Sequence, residues 1–174
     1  VEAGYLATKH LIELGHRKIG GMFKIDDIQG HARYEGFFKA HKEFGINLND
    51  KRVLWFDTND MQYKFNKPSN EIINAFLEDC TALVCYNEQI SLKLIQIIRS
   101  KGLIIPDQLS VVSFDDSDLA VASEVKMTTV AHPKEKLGIE AAQLIMRMIT
   151  ENDRVFKVKM TPKLVVRNST GPVG

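Results

Sequence analysis

Residues 109–117 read Leu-Ser-Val-Val-Ser-Phe-Asp-Asp-Ser, an apolar run that stops at two carboxylates and a hydroxyl. A run this short and this apolar reads as a strand buried on both faces. In an open α/β sheet, ligands bind just beyond the carboxyl ends of such strands. The arrangement recurs along the chain. Residues 18–23 read as a strand and lead into Lys-Ile-Asp-Asp-Ile-Gln-Gly at 24–30, a polar loop. The strand at 82–86 leads into Asn87 and Glu88, and a short strand at 128–131 ends at His132 and Pro133. A further strand is expected at 53–56.

Helical patterns fill the intervals. Ala3, Ala7, Leu11 and Leu14 recur at helical spacing, with Gly15 as a stop signal. Residues 33–44 place Phe37, His41 and Phe44 on one face before Gly45. A helix at 69–79 buries Ile72, Ile73, Phe76 and Leu77, and another at 88–101 is stopped by Gly102 and Pro106. Pro133 suits a helix start, and Leu137, Ala141, Leu144, Ile145 and Met148 continue that helix to about 150. Residues 57–67 read as a loop, 118–126 as irregular, and 156–160 and 164–167 as extended segments separated by Pro162. Strands alternating with helices define an α/β class with a doubly wound, mostly parallel sheet covered on both faces.

A chain of 174 residues with 44% apolar and 26% charged side chains holds a real core. Its net charge of +1 gives no broad electrostatic footprint for nucleic acid, and no apolar run approaches a membrane span. The chain opens at Val1 inside a helical pattern and reads as a piece of a longer protein. Cys80 and Cys85 match neither a redox nor a zinc spacing and read as core thiols. The five histidines form no paired-ligand motif, so neither a metal nor another cofactor is expected.

The strand ends gather Asp26, Asp27 and Gln29; Asn87 and Glu88; and Asp115, Asp116 and Ser117, with Arg33 opening the helix after the first group. Paired acceptors and donors of this kind suit a ligand rich in hydroxyl groups. The plainer alternative is that Asp and Asn cap the following helices. Asp115 and Asp116, adjacent on extended backbone, would point to opposite sides, which is poor geometry for acid–base catalysis. No nucleophile elbow, phosphate loop or dinucleotide fingerprint is present, and Gly20-Gly21 marks close packing. Trp55, Tyr86 and Phe114 could stack on a sugar, but strand aromatics more often belong to the core.

The motifs resemble the second lobe of LacI/GalR-type repressor effector domains. They run in order: His-Leu-Ile-Glu-Leu-Gly-His-Arg-Lys-Ile at 10–19, Arg-Tyr-Glu-Gly-Phe at 33–37, Cys-Tyr-Asn-Glu at 85–88 and Ile-Pro-Asp-Gln-Leu-Ser-Val-Val-Ser-Phe-Asp-Asp-Ser at 105–117. Met-Thr-Thr-Val-Ala-His-Pro-Lys-Glu-Lys-Leu-Gly at 127–138 and Pro-Lys-Leu-Val-Val-Arg-Asn-Ser-Thr at 162–170 complete the set. The resemblance implies a periplasmic-binding-protein-like fold in which two lobes close on a small effector and shift a dimer's affinity for operator DNA. By motif, Arg33, Asn87 and Asp115 become effector contacts, Asp27 and Gln29 face the cleft, and His132 stands where many relatives carry glutamine. The strings around 23–33, 85–88 and 123–134 are similar to arabinose-responsive members that join a GntR-type winged helix to this domain, so the expected effector is L-arabinose.

The same resemblance divides the chain. Residues 1–132 become the C-terminal lobe, 133–152 a crossover helix of the first lobe, and 153–174 return strands completing the C-terminal lobe. The implied protein is a cytoplasmic regulator, not an enzyme, with a homodimer contact on the helices at 69–79 and 88–101 and no membrane association. Operator DNA would be reached only through a domain outside these residues. One lobe alone should bind neither operator nor sugar tightly. The competing readings are a periplasmic sugar-binding protein of a transport system, and a single-domain α/β enzyme or phospho-receiver using Asp115.

Overall fold

A computed structural model of the chain describes residues 1–60, 71–150 and 157–174. Within them the elements run α1 (Glu2–Glu13), β1 (Ile19–Lys24), α2 (Ile28–Glu43), a 3₁₀ turn (Asp50–Arg52), β2 (Val53–Phe56), α3 (Glu71–Glu78), β3 (Ala82–Cys85), α4 (Glu88–Ser100), β4 (Ser110–Phe114), α5 (Leu119–Ala122), β5 (Thr128–Ala131), α6 (Lys134–Thr150) and β6 (Lys163–Val165). The expected helix start at 69–70, most of the loop at 57–67, and the positions 151–156 lie outside the described residues.

The strands form one sheet in the order β2-β1-β3-β4-β5-β6. The first five are parallel and β6 joins β5 antiparallel, as the doubly wound, mostly parallel expectation required. The chain leaves β1 to build β2 on one side and returns to build β3 on the other. Loops that leave β1 and β3 in opposite directions open a crevice between them, the topological switch point of such a sheet.

Strand alternation distributes the core. Ala82 and Val84 pack with Leu11, Phe23, Phe37 and Val112 under α1 and α2, whereas Leu83 and Cys85 pack with Met22, Phe76, Leu94 and Ile98 under α3 and α4. A period of two on β3 thus feeds both layers. In α4, Ile90, Leu94, Ile97 and Ile98 fall on one stripe, and the helix stops before Gly102 at φ +76. Ile95 lies off that stripe and packs against Ala120 and Met127 instead. The nearly all-round apolar character of α4 is therefore covered largely within the chain.

Helices α1 and α2 cross at a close approach that only glycine permits. A Cβ on Gly4 would sit 2.1 Å from the Arg33 carbonyl oxygen, and one on Gly36 would sit 1.9 Å from that of Val1. This crossing fixes the backbone of Arg33 against α1. Gly20 is also closely packed, its would-be Cβ 2.7 Å from the Cys80 sulfur.

Three boundaries differ from expectation. Helix α2 begins at Ile28, five residues early, because the Asp27 carboxylate accepts from the Gln29 amide at 2.9 Å and starts the helix inside the supposed loop. The stretch at 118–126 contains the short helix α5, and residues 157–160 adopt no strand. Helix α6 forms as expected but buries none of its residues, leaving Leu137, Ile139, Ile145, Met146, Met148 and Ile149 more than half exposed.

Candidate functional site

The site is organised around Arg33. It lies on the second turn of α2 and is 4% exposed, an unusual degree of burial for a charged side chain. Its guanidinium carbon lies 4.8 Å from the Tyr86 ring centroid and 4.4 Å from that of Phe114. Two strand-end aromatics thereby hold the cation between them. Nη1 donates to the Tyr86 carbonyl. Nη2 donates to Asp115 Oδ1 at 2.8 Å and to Gln29 Oε1 at 3.1 Å. A cation so restrained presents a fixed, planar donor array at the crevice between β1, β3 and β4.

The opposing carboxylate rests on an unusual turn. Asp115 and Asp116 have φ values of +97 and +46, conformations that cost a non-glycine residue about 1–2 kcal/mol each. The backbone is thus not extended, as the sequence argument assumed, yet the two side chains still part. Asp115 meets Arg33, while Asp116 meets Arg167 at 2.7 Å. Lys134 Nζ donates to the Asp116 carbonyl at 3.2 Å.

Gln29, Arg33, Asp115 and His132 line one cavity of about 420 Å³, with Lys134 as a further polar wall and Ala3, Ala32, Pro133, Leu137 and Met160 among its apolar residues. His132 is held below the ordinary histidine range, first by partial desolvation and then by the Arg33 charge, so at neutral pH its ring is a neutral donor and acceptor. Asp27 stands one layer behind. The Tyr86 hydroxyl donates to it, and that bond, aided by the Gln29 amide, holds its carboxyl below the usual range. Tyr86 is pushed above the phenol range, by burial first and by Asp27 second, so it remains the donor.

As with Asp27, Asn87 lies outside the cavity-lining group. Its side-chain oxygen accepts from the Ile90 amide at 3.0 Å and caps α4, and it does not line the cavity. Tyr86 and Phe114, expected chiefly in the core, are both buried. Their part in clamping Arg33 could be found only by knowing that β3 and β4 are neighbours. Trp55 packs with Phe23, Tyr34 and His31 at the sheet edge. Among the described residues, no group of three or more His, Cys, Asp or Glu is placed to hold a metal. No described helix is long and apolar enough to cross a membrane.

A mostly parallel α/β sheet with a polar crevice at its switch point is the architecture of the periplasmic-binding-protein-like class. The family model described as periplasmic binding protein-like domain matches residues 8–170, and the chain belongs to that family. Within it, the chain is 45% identical to an arabinose metabolism transcriptional repressor of Halalkalibacterium halodurans, over 98% of the chain and 47% of the relative. It is 42% identical to the arabinose metabolism transcriptional repressor of Geobacillus stearothermophilus, over 97% and 47%. The chain thus spans about half the length of the curated relatives it matches. Among solved structures, a transcriptional regulator CelR–cellobiose complex superposes with a TM-score of 0.82 at 27% identity, covering 96% of this chain and 51% of that one. A LacI-family transcriptional regulator from Enterococcus faecium with bound ribose gives 0.82 at 26% identity, covering 99% and 63%. The LacI/GalR resemblance read from the motifs is met by these relatives.

Proposed function

We propose that this chain is the effector-binding lobe of a sugar-responsive transcriptional repressor, and that the effector is L-arabinose. The observation that carries the reading is the Arg33–Asp115 pair at the switch point, 2.8 Å apart and framed by Tyr86 and Phe114. A sugar presents vicinal hydroxyls that donate and accept at once. Asp115 offers acceptors, Arg33 donors, and Gln29 and neutral His132 offer both. The names of the two arabinose-repressor relatives support the choice of sugar. The division of Asp115 and Asp116 between two arginines supports binding over acid–base chemistry, since neither carboxylate is left paired with the other.

In this reading Asn87 joins the effector contacts through its amide nitrogen, while its oxygen stays on the α4 cap. Helix α6, with its exposed apolar side chains, belongs to a first lobe that closes over the sugar. Operator DNA is contacted by a separate domain, and the regulator works in the cytoplasm. Dimerisation uses α3 and α4, where Ile72 is exposed and Leu92 is half-buried. The test is operator binding by the full-length protein, followed by fluorescence anisotropy with and without L-arabinose. Release of the operator by micromolar L-arabinose, and not by D-glucose, is expected. A full-length protein that holds its operator equally at all sugar concentrations would refute the proposal.

A further inference from the structure

Glu88, the first residue of α4, is 3% exposed. Among the described residues no basic side chain pairs with it. Its carboxylate is instead filled by donors from the turn after β4 and from β5. The Ser117 amide lies 3.2 Å from Oε1 and 3.1 Å from Oε2, and the Ser117 hydroxyl donates to Oε2. The Thr129 hydroxyl, on β5, lies 3.3 Å from Oε1. The N-terminal end of α4 also favours negative charge there. A buried carboxylate is costly unless its acceptors are filled, so this set of bonds is a strong constraint on whatever it ties together.

What it ties is the turn that presents Asp115. Residues 115 and 116 both hold positive φ, and a turn of that kind persists only when its surroundings dictate it. The amide of Asp115 is fixed to the Val130 carbonyl at 3.0 Å, and that of Asp116 lies 3.4 Å from the Thr129 hydroxyl oxygen. Arg167 holds the Asp116 side chain from outside. Glu88 holds the far end of the turn from inside, at Ser117. It is not among the cavity-lining residues, and its side-chain hydrogen bonds go to Ser117 and Thr129.

We propose that Glu88 is a positioning residue of the effector site, fastening the Asp115–Ser117 turn to α4 so that the Asp115 carboxylate stays opposite Arg33. This rests on the reading of that pair as a sugar-binding site. It also joins two strand-end loops into one unit, because the helix that Asn87 caps and the turn that carries Asp115 share a single carboxylate.

The test uses full-length protein and a double-mutant cycle. Calorimetry with L-arabinose compares the wild type, Glu88→Ala, Asp115→Ala and the double variant, with thermal melting as a check on folding. Amide deuterium exchange follows residues 114–118 without sugar. Glu88→Ala should weaken L-arabinose binding about tenfold in the wild-type background and less than twofold when Asp115 is already gone, the coupling expected of members of one network. The 114–118 amides should lose protection while those of β1 and β3 keep theirs. Where Glu88→Ala does not fold, the isosteric Glu88→Gln and Ser117→Ala carry the same cycle, with about threefold coupling expected. Equal losses in both backgrounds, or unchanged exchange at 114–118, would overturn the proposal. A wild type that binds no L-arabinose would overturn the effector assignment instead, and the exchange result would still decide whether Glu88 holds the turn.

Discussion

Replacing Arg33 separates the two things its guanidinium does. It fills a slot between the Tyr86 and Phe114 rings with 5% of its side chain exposed, and it supplies donors to Tyr86, Gln29 and Asp115. In Arg33→Ala the Tyr86 carbonyl loses its buried donor, costing about 1–3 kcal/mol. The two cation–ring contacts contribute roughly 0.5–2 kcal/mol each. The ion pair adds little to stability, because the Asp115 side chain is 40% exposed and solvent screens it. A stability loss of about 2–7 kcal/mol is expected. Losing a charged hydrogen bond to the sugar weakens binding by about 1.5–3 kcal/mol, or ten- to a hundredfold. Arg33→Lys sharpens the test, since it keeps the charge but loses the plane that stacks and the fork that reaches Gln29 and Asp115 together. Calorimetry with L-arabinose on full-length protein should place Lys nearly as low as Ala. If Arg33→Lys binds like the wild type, a point charge suffices and the clamped-plane geometry is irrelevant. If Arg33→Ala binds within twofold of it, Arg33 is not an effector contact.

Burial holds His16 and His41, and the half-buried His10, below the ordinary histidine range. As pH falls below about 6.5 the unfolded chain takes up protons first, so stability is full above that value and declines beneath it. The melting temperature should therefore drop between pH 7.5 and 5.5, with a shallower slope in His16→Gln; a flat or rising profile would count against this. Burial also pushes the thiols of Cys80 and Cys85 up to about 12, so neither should react with a disulfide reagent at pH 8 until denaturant is added. Prompt labelling of the native protein would show that the α3–sheet core opens. On the proposed two-lobed reading residues 1–174 carry one wall of the site, and their affinity for L-arabinose should be near millimolar or weaker by calorimetry.

The alternation of strands and helices was legible because most strands are short, largely apolar runs closed by polar residues, as at Phe114-Asp115 and Tyr86-Asn87. The site was legible as a set of strand-end loops, and Arg33, Asp115, Gln29 and His132 do share one cavity. Two features were not legible. Asp27 could be a loop residue or a helix cap, and only the folded backbone shows that it starts α2. Glu88 reads from the sequence as one more strand-end polar residue suited to a hydroxyl-rich ligand, whereas the fold buries it, because β4 and β5 place Ser117 and Thr129 over it. Long-range pairing of this kind leaves no local trace in the sequence.

The most direct test of the central claim is the crystal structure of the full-length protein with L-arabinose. The sugar should lie at the β1–β3–β4 crevice with its hydroxyls within hydrogen-bond distance of Arg33 and Asp115, and with a second lobe closed over it. A sugar bound elsewhere, with the Arg33–Asp115 pair still closed on itself at 2.8 Å, would contradict it.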